Sequence, residues 1–194
     1  MFNANTFIKN SFEDLVEVLE IILNDNHIPV QLETISKLIR NTFLAGNKIL
    51  LCGNGGSASD ADHIAAEFLV KFKNLRQSLP AISLNSNNSV MTAVGNDFSF
   101  EEIFSRQVEG FGKEGDILWA FSTSGESRNI IRALRQAKEQ NLYTILFTKS
   151  HYVYLHDSII DYRIEVPSMF TPRIQEVHTL LGHIVCDLVE RGIG

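Results

Sequence analysis

Cysteine is scarce: only two, Cys52 and Cys186, occur in 194 residues, with neither CxxC spacing nor the paired framework of small secreted domains. Both fall in apolar stretches and read as small core residues of a protein kept in a reducing cytoplasm. No apolar run approaches the roughly 20 residues of a membrane-spanning helix. Met1 to Lys9 lacks a basic segment followed by an apolar one. The expectation is a cytoplasmic protein with no membrane partner. Positive charge is short as well. The 17 Lys and Arg against 23 Asp and Glu give a net charge of −6 and a pI near 5.5. With no basic stripe in view, nucleic acid is not expected as a partner. Any anionic ligand must then be held by local dipoles and hydroxyls. Internal repeats and low-complexity segments are also missing.

What is present describes an ordinary globular chain, 44% hydrophobic and 21% charged. Its length suits one domain over residues 1–194, with an N-terminal helical pair over 1–46 and an α/β core over 47–194. Ser11, with Asp14 three residues on, predicts a helix start, followed by an apolar face of Phe12, Leu15, Val16, Leu19, Ile22 and Leu23. A second helix is expected from about Pro29 to Leu44, stopped by Gly46. Two helices ahead of the first strand exceed what one sheet needs, so their apolar surface packs either on its own domain or against another subunit.

Beyond them, strands are expected at Lys48–Cys52, Ala81–Leu84, Asp116–Phe121, Thr144–Thr148 and Tyr162–Val166. Helices are expected at Phe100–Phe111, Arg128–Gln140 and Arg173–Arg191, with a polar loop at Asn85–Ser89 and a turn at Gly95–Asn96–Asp97. Strands alternating with helices imply a doubly wound parallel sheet.

The chain is organised around Cys52 to Glu67, where a buried-type strand runs into glycines, small hydroxyls and an amphipathic helix. Glycines let the backbone turn and approach a ligand, Ser57 or Ser59 is placed to cap the helix, and the helix N-terminus favours an anion. The same residues also fit a plain strand-to-helix turn. His63 and Glu67, four apart on one helix face about a turn beyond this cradle, are placed to share a metal or handle protons. A surface contact is the bland alternative for such a pair.

A second cradle, Ser122–Thr123–Ser124–Gly125–Glu126–Ser127, again follows a strand and precedes a helix. Two such loops at the carboxyl ends of parallel strands can converge on one ligand, and hydroxyls with backbone N–H groups suit a phosphate monoester. Capping of the following helix by Ser124 or Ser127 is the structural alternative. Other phosphate motifs fit less well. Gly53 to Ala58 satisfies a loose G-x-G-x-x-A, but the next strand ends at Leu84–Asn85 without an acidic ribose ligand, and no Gly-Lys-Ser/Thr follows the glycines. On the last helix Gln175, His178 and His183 interrupt an apolar stretch; Gln175 and His183 stand about 12 Å apart along the axis. One site using both invites residues from different subunits.

Taken together, the first cradle with His63 and Glu67, Gly95–Asn96–Asp97, the second cradle, and Arg173–Ile174–Gln175–Glu176 with His183 resemble the phosphoheptose isomerases of the sugar-isomerase (SIS) fold. The resemblance spans nearly the whole chain. It implies an isomerase that converts sedoheptulose 7-phosphate to D-glycero-D-manno-heptose 7-phosphate for surface polysaccharides such as lipopolysaccharide or capsule. It further implies a cytoplasmic homotetramer with sites between subunits. Carried over, Asn54, Gly55, Gly56, Ser57, Glu67, Asn96, Asp97, Ser122, Thr123, Ser124, Ser127 and Gln175 bind the phosphorylated sugar. His63, Glu67, Gln175 and His183 hold one zinc per subunit, with Glu67 as base and His183 as acid. Three departures bear on substrate choice: Lys71 where arginine is frequent, Pro172 where some members carry an acidic residue, and aromatic Lys149–Asp157 in place of a glycine-rich loop. A related group on this fold binds the replication initiator DnaA and lacks the Glu and the last His. Both are present here, which favours an enzyme.

Overall fold

A computed structural model describes residues 2–150 and 157–193. Residues 151–156, the middle of the aromatic departure at 149–157, lie outside the described residues. Five strands form one sheet: β1 (Ile49–Gly53), β2 (Ala81–Ser83), β3 (Ile117–Phe121), β4 (Tyr143–Lys149) and β5 (Tyr162–Val166), in the order β2-β1-β3-β4-β5. Every pairing is parallel. Parallel strands need crossover helices on the sheet faces, and burial on both faces explains their near-continuous apolar character. All five residues of β1 and of β3 are buried.

Alternation along each strand divides the interior in two. Ile49, Leu51, Ile117, Trp119, Ile145 and Phe147 face a core shared with α1 (Ala4–Asn24), α2 (His27–Leu44), α3 (Gly56–Leu69) and α7 (Thr171–Ile193). Leu50, Cys52, Leu118, Ala120 and Leu146 face a second core with α5 (Ser105–Phe111) and α6 (Arg128–Glu139), onto which α4 (Asn88–Asp97) lays Met91 and Val94. The sheet is therefore covered on both sides, as the alternation of strands and helices predicts. Truncating a fully buried residue such as Ile64 to alanine is expected to cost about 2–5 kcal/mol.

Several boundaries differ from expectation. Helix α1 begins at Ala4 rather than near Ser11, because Asn3 is the N-cap and its side chain accepts from the Thr6 N–H at 3.2 Å. Ser11 instead donates its hydroxyl to the Phe7 carbonyl from within the helix. Gly95, Asn96 and Asp97 form no turn: they are the last residues of α4, which Asn87 caps by accepting from the Val90 N–H. The expected helix over 100–111 is broken into a 3₁₀ turn at Phe100–Glu102 followed by α5.

The two N-terminal helices divide the packing question. Helix α2 buries a full face, including Ile28, Leu32, Ile35, Ile39 and Phe43, on its own sheet. Helix α1 buries only Val18 and Ile22 and leaves Phe7, Ile8, Phe12 and Val16 exposed. No described helix is long and apolar enough to cross a membrane.

Candidate active site

In the sheet order, β1 and β3 are neighbours whose crossovers leave in opposite directions, which is the switch point where ligands enter open α/β sheets. Gly53 stands level with Phe121 in the register, so both cradles leave the sheet side by side. Gly55 adopts φ +59° and ψ −122°, a conformation that glycine alone enters readily. Gly56 is required for a different reason: a Cβ there would lie 2.4 Å from Gln175 Nε2. Neither α3 nor α6 has a side-chain N-cap bond. The anticipated side-chain capping by Ser57 or Ser59 is absent, and Ser127 holds the N-cap position of α6 without a side-chain bond. Gly55 takes the N-cap position of α3, and Ser57 lies inside its first turn. The Ser57 and Ala58 N–H groups turn back to the Asn54 and Gly55 carbonyls and the Ile130 N–H to Asn129 Oδ1, while the dipoles of both helices favour an anion at their N-termini.

The second cradle is held in shape by its own hydroxyls. Ser122 Oγ accepts from the Gly125 N–H and Ser124 Oγ accepts from the Glu126 N–H, each at 3.1 Å. A hydroxyl that accepts still has its proton to donate, so the loop is ordered while keeping donors for phosphate oxygens. Two asparagines that sequence reading passed over complete the frame. Asn129 exchanges two amide hydrogen bonds with Asn54, at 2.9 and 2.8 Å, which tie the first cradle to the start of α6. Asn85 clamps Gly53 from the turn just beyond β2, accepting its N–H at 3.1 Å and donating to its carbonyl at 2.8 Å. The only sequence signal for Asn85 was its place at the end of a strand where a dinucleotide fold would carry an acid.

Helices α3 and α7 pack as a parallel seam with an almost constant offset in number. Gly56 meets Gln175, Asp60 accepts the Thr179 hydroxyl at 2.5 Å, Ile64 abuts Gly182, and His63 meets His183. This register resolves the 12 Å separation of Gln175 and His183. Gln175 lies at the cradle end of the seam, and His183 lies two turns along it. Burial pushes the Asp60 carboxyl above its ordinary range, against the opposing pull of the Thr179 hydroxyl and His63.

At the His183 level, His63 Nε2 lies 2.8 Å from His183 Nε2 and 3.3 Å from Glu67 Oε1. The imidazole contact requires one ring to donate and the other to accept. Ligand atoms of His63, Glu67 and His183 all lie within 4.8 Å of one another. Two imidazole nitrogens and a carboxylate oxygen converging from adjacent helices form a donor set suited to a divalent metal with an open position. These three fit such an ion. The fourth expected ligand, Gln175, joins them through no hydrogen bond among the described residues.

The remaining expected residues fall into two groups. Asn54, Gly55, Gly56, Ser57 and Gln175 surround the first cradle, and Ser122, Thr123, Ser124 and Ser127 form the second beside it. Asn96 and Asp97 stand apart on the exposed end of α4, bonded to each other at 2.8 Å. Among the described residues neither bonds to a cradle.

The chain is also similar to known proteins in sequence and in fold. The SIS domain family profile matches residues 12–149. The chain is 48% identical over 185 residues to a phosphoheptose isomerase of Clostridium acetobutylicum, covering 95% of this chain and 94% of that one. Its fold is similar to that of a phosphoheptose isomerase from Francisella tularensis, with a TM-score of 0.91 at 32% identity, covering 98% of this chain and 100% of that one. It is also similar to the structure of one from Neisseria gonorrhoeae, with a TM-score of 0.85 at 34% identity over 97% and 100% of the two chains. Identity at this level over nearly the whole length, on a fold whose switch point carries two hydroxyl cradles and a His-Glu-His cluster, places the chain in the SIS domain family as a phosphoheptose isomerase.

Proposed function

We propose that the chain interconverts sedoheptulose 7-phosphate and D-glycero-D-manno-heptose 7-phosphate, with Glu67 and His183 moving the protons. The observation that carries this reading is the seam: an anion cradle at one end and a carboxylate beside two imidazoles about two turns further on. A phosphate anchored by the cradles leaves the sugar chain to extend along α3 and α7 toward Glu67. Aldose-ketose isomerisation moves a proton between neighbouring carbons through an enediol, which needs a base at carbon and an acid at oxygen. Glu67 takes the proton from C1 while His183 protonates the C2 carbonyl oxygen. Glu67 then returns a proton to C2 as His183 takes the C1 hydroxyl proton, giving the aldehyde and restoring both residues. One carboxylate on one side of the enediol delivers to a single face, so one C2 epimer forms.

His63, Glu67 and His183 are the residues that would hold a zinc ion; Gln175, two turns back from His183 along the same helix, would join them as a further ligand only from a neighbouring subunit. When bound, such an ion polarises the substrate carbonyl. The DnaA-binding alternative uses neither Glu67 nor His183, and their convergence favours the enzyme.

The proposed assembly is a homotetramer in the cytoplasm, serving surface polysaccharide synthesis. Its support is apolar surface that the protomer does not cover: the α1 residues Phe7, Ile8, Phe12 and Val16, and the α7 stripe Leu180, Ile184 and Leu188. Asn96 and Asp97, which bond to neither cradle among the described residues, then serve a site completed between subunits. Light scattering is expected to report four chains, and removal of residues 1–25 to weaken the assembly; a fully active monomer contradicts it. The function itself is tested by supplying sedoheptulose 7-phosphate to the purified protein, before and after chelation and with zinc restored. An aldoheptose 7-phosphate product is expected. No product under any of these conditions contradicts the reading.

A further inference from the structure

The seam between α3 and α7 continues past the triad into residues to which the isomerisation gives no task. Glu190 on α7, seven residues beyond His183, is only 3% exposed. Its carboxylate accepts the backbone N–H groups of Phe72, Lys73 and Asn74 at 3.0, 2.8 and 2.6 Å, and Arg76 Nε at 3.1 Å. Burial pushes this carboxyl up, but the three N–H groups and the guanidinium outweigh it and leave it below the usual carboxylate range. Arg76 in turn donates to the Phe68 and Glu67 carbonyls, each at 2.8 Å, closing the C-terminal end of α3. Arg76 alone would satisfy those carbonyls. Glu190 does something more: it gathers the segment after α3 onto α7 and so brings the Phe72 ring over His183, with centroids 5.5 Å apart and planes inclined by 29°. His63 meets the same imidazole edge-on, with centroids at 5.0 Å. One network therefore grips both proton-handling residues, Glu67 by its own carbonyl and His183 by its ring face.

We propose that Phe72, held in place by the Arg76–Glu190 pair, is a positioning residue for the isomerisation: it fixes the plane of the His183 ring, while Arg76 fixes the turn of α3 that carries Glu67. This inference rests on the assignment of His183 and Glu67 as acid and base. Misplacing a catalytic group costs rate more than affinity when substrate is anchored elsewhere, and here the cradles lie two turns away.

The test pairs a spectroscopic readout with kinetics in Phe72→Leu, Phe72→Tyr and Glu190→Gln. In chelator-treated protein, the His183 ring proton signals, assigned by their loss in His183→Gln, are expected to move downfield in Phe72→Leu and to return in Phe72→Tyr. With sedoheptulose 7-phosphate, kcat is expected to fall on the order of 10-fold in Phe72→Leu and Glu190→Gln with KM unchanged, and to recover in Phe72→Tyr. Unmoved ring signals in folded Phe72→Leu, or moved signals with the parent kcat, overturn the proposal. If Glu190→Gln does not fold, the two Phe72 variants carry the decision. A parent protein without turnover overturns the functional reading and the positioning role with it, whereas an active parent matched by Phe72→Leu overturns the positioning role alone.

Discussion

Lowering the pH is expected to unfold this protein partly through one imidazole. His178 on α7 is completely buried, stacked obliquely against Phe121 and Phe147 with centroids at 6.1 and 5.9 Å. Its Nε2 reaches the Thr148 carbonyl at 3.4 Å, and its Nδ1 is buried with no hydrogen-bond partner among the described residues. Burial lowers its pKa from 6.5 to about 4, opposed by the Thr148 carbonyl. Above pH 6.5 neither the folded nor the unfolded chain protonates this residue, so its contribution is fully present. As the pH falls toward 4 the unfolded chain binds a proton that the folded chain refuses, and stability falls by about 1.4 kcal/mol per pH unit. Between pH 7 and 4.5 the loss from this group comes to about 2 kcal/mol. Urea unfolding at both pH values and fixed protein concentration, in parent and His178→Gln, isolates it, because the other titrating groups are common to both proteins. The parent is expected to lose about 2 kcal/mol more than the variant. Equal losses refute the reasoning. Phe121, against which His178 packs, ends β3 where the second cradle begins.

Two further outcomes test the cradles. Ser57→Ala and Ser124→Ala should each weaken binding of sedoheptulose 7-phosphate by roughly 1–3 kcal/mol, the cost of a lost hydrogen bond to a charged group; unchanged calorimetric affinity in both variants contradicts the cradle assignment. Gly56→Ala should displace the Gln175 amide, which would lie 2.4 Å from the new Cβ. Its backbone suits alanine, so stability should hold while calorimetric affinity falls, and an unchanged affinity places Gln175 outside the ligand's path.

Legibility in the sequence followed how local each feature is. Strand β5 runs over the expected Tyr162–Val166, since Tyr162, Ile164 and Val166 alternate with Arg163 and Glu165 between Asp161 and Pro167 and offer no competing period. Helix α4 is hard to read because it buries no residue completely and its short apolar stripe, Met91 and Val94, sits among Asn, Ser, Thr and Gly; the Asn87 cap is its clearest mark. The first seven residues of α1, Ala4 to Asn10, are exposed along their length and so give no buried face to read. In the site, the spacing of His63 and Glu67 is a property of one helix and was readable as such. That His183 joins them depends on α3 and α7 packing in parallel, a tertiary fact that only the family resemblance anticipated. The Asn54–Asn129 exchange and the grip of Glu190 on residues 72–74 link positions 75 and more apart, and nothing in the local pattern signals them.

The proposed isomerisation depends most directly on Glu67. Purified protein given sedoheptulose 7-phosphate in deuterated water should exchange the C1 proton, as followed by NMR, while forming the aldoheptose. Glu67→Gln keeps the shape and removes the basic carboxylate, so substrate should still bind while exchange falls by about 10²-fold or more. Exchange that survives undiminished in Glu67→Gln contradicts the assignment of the base.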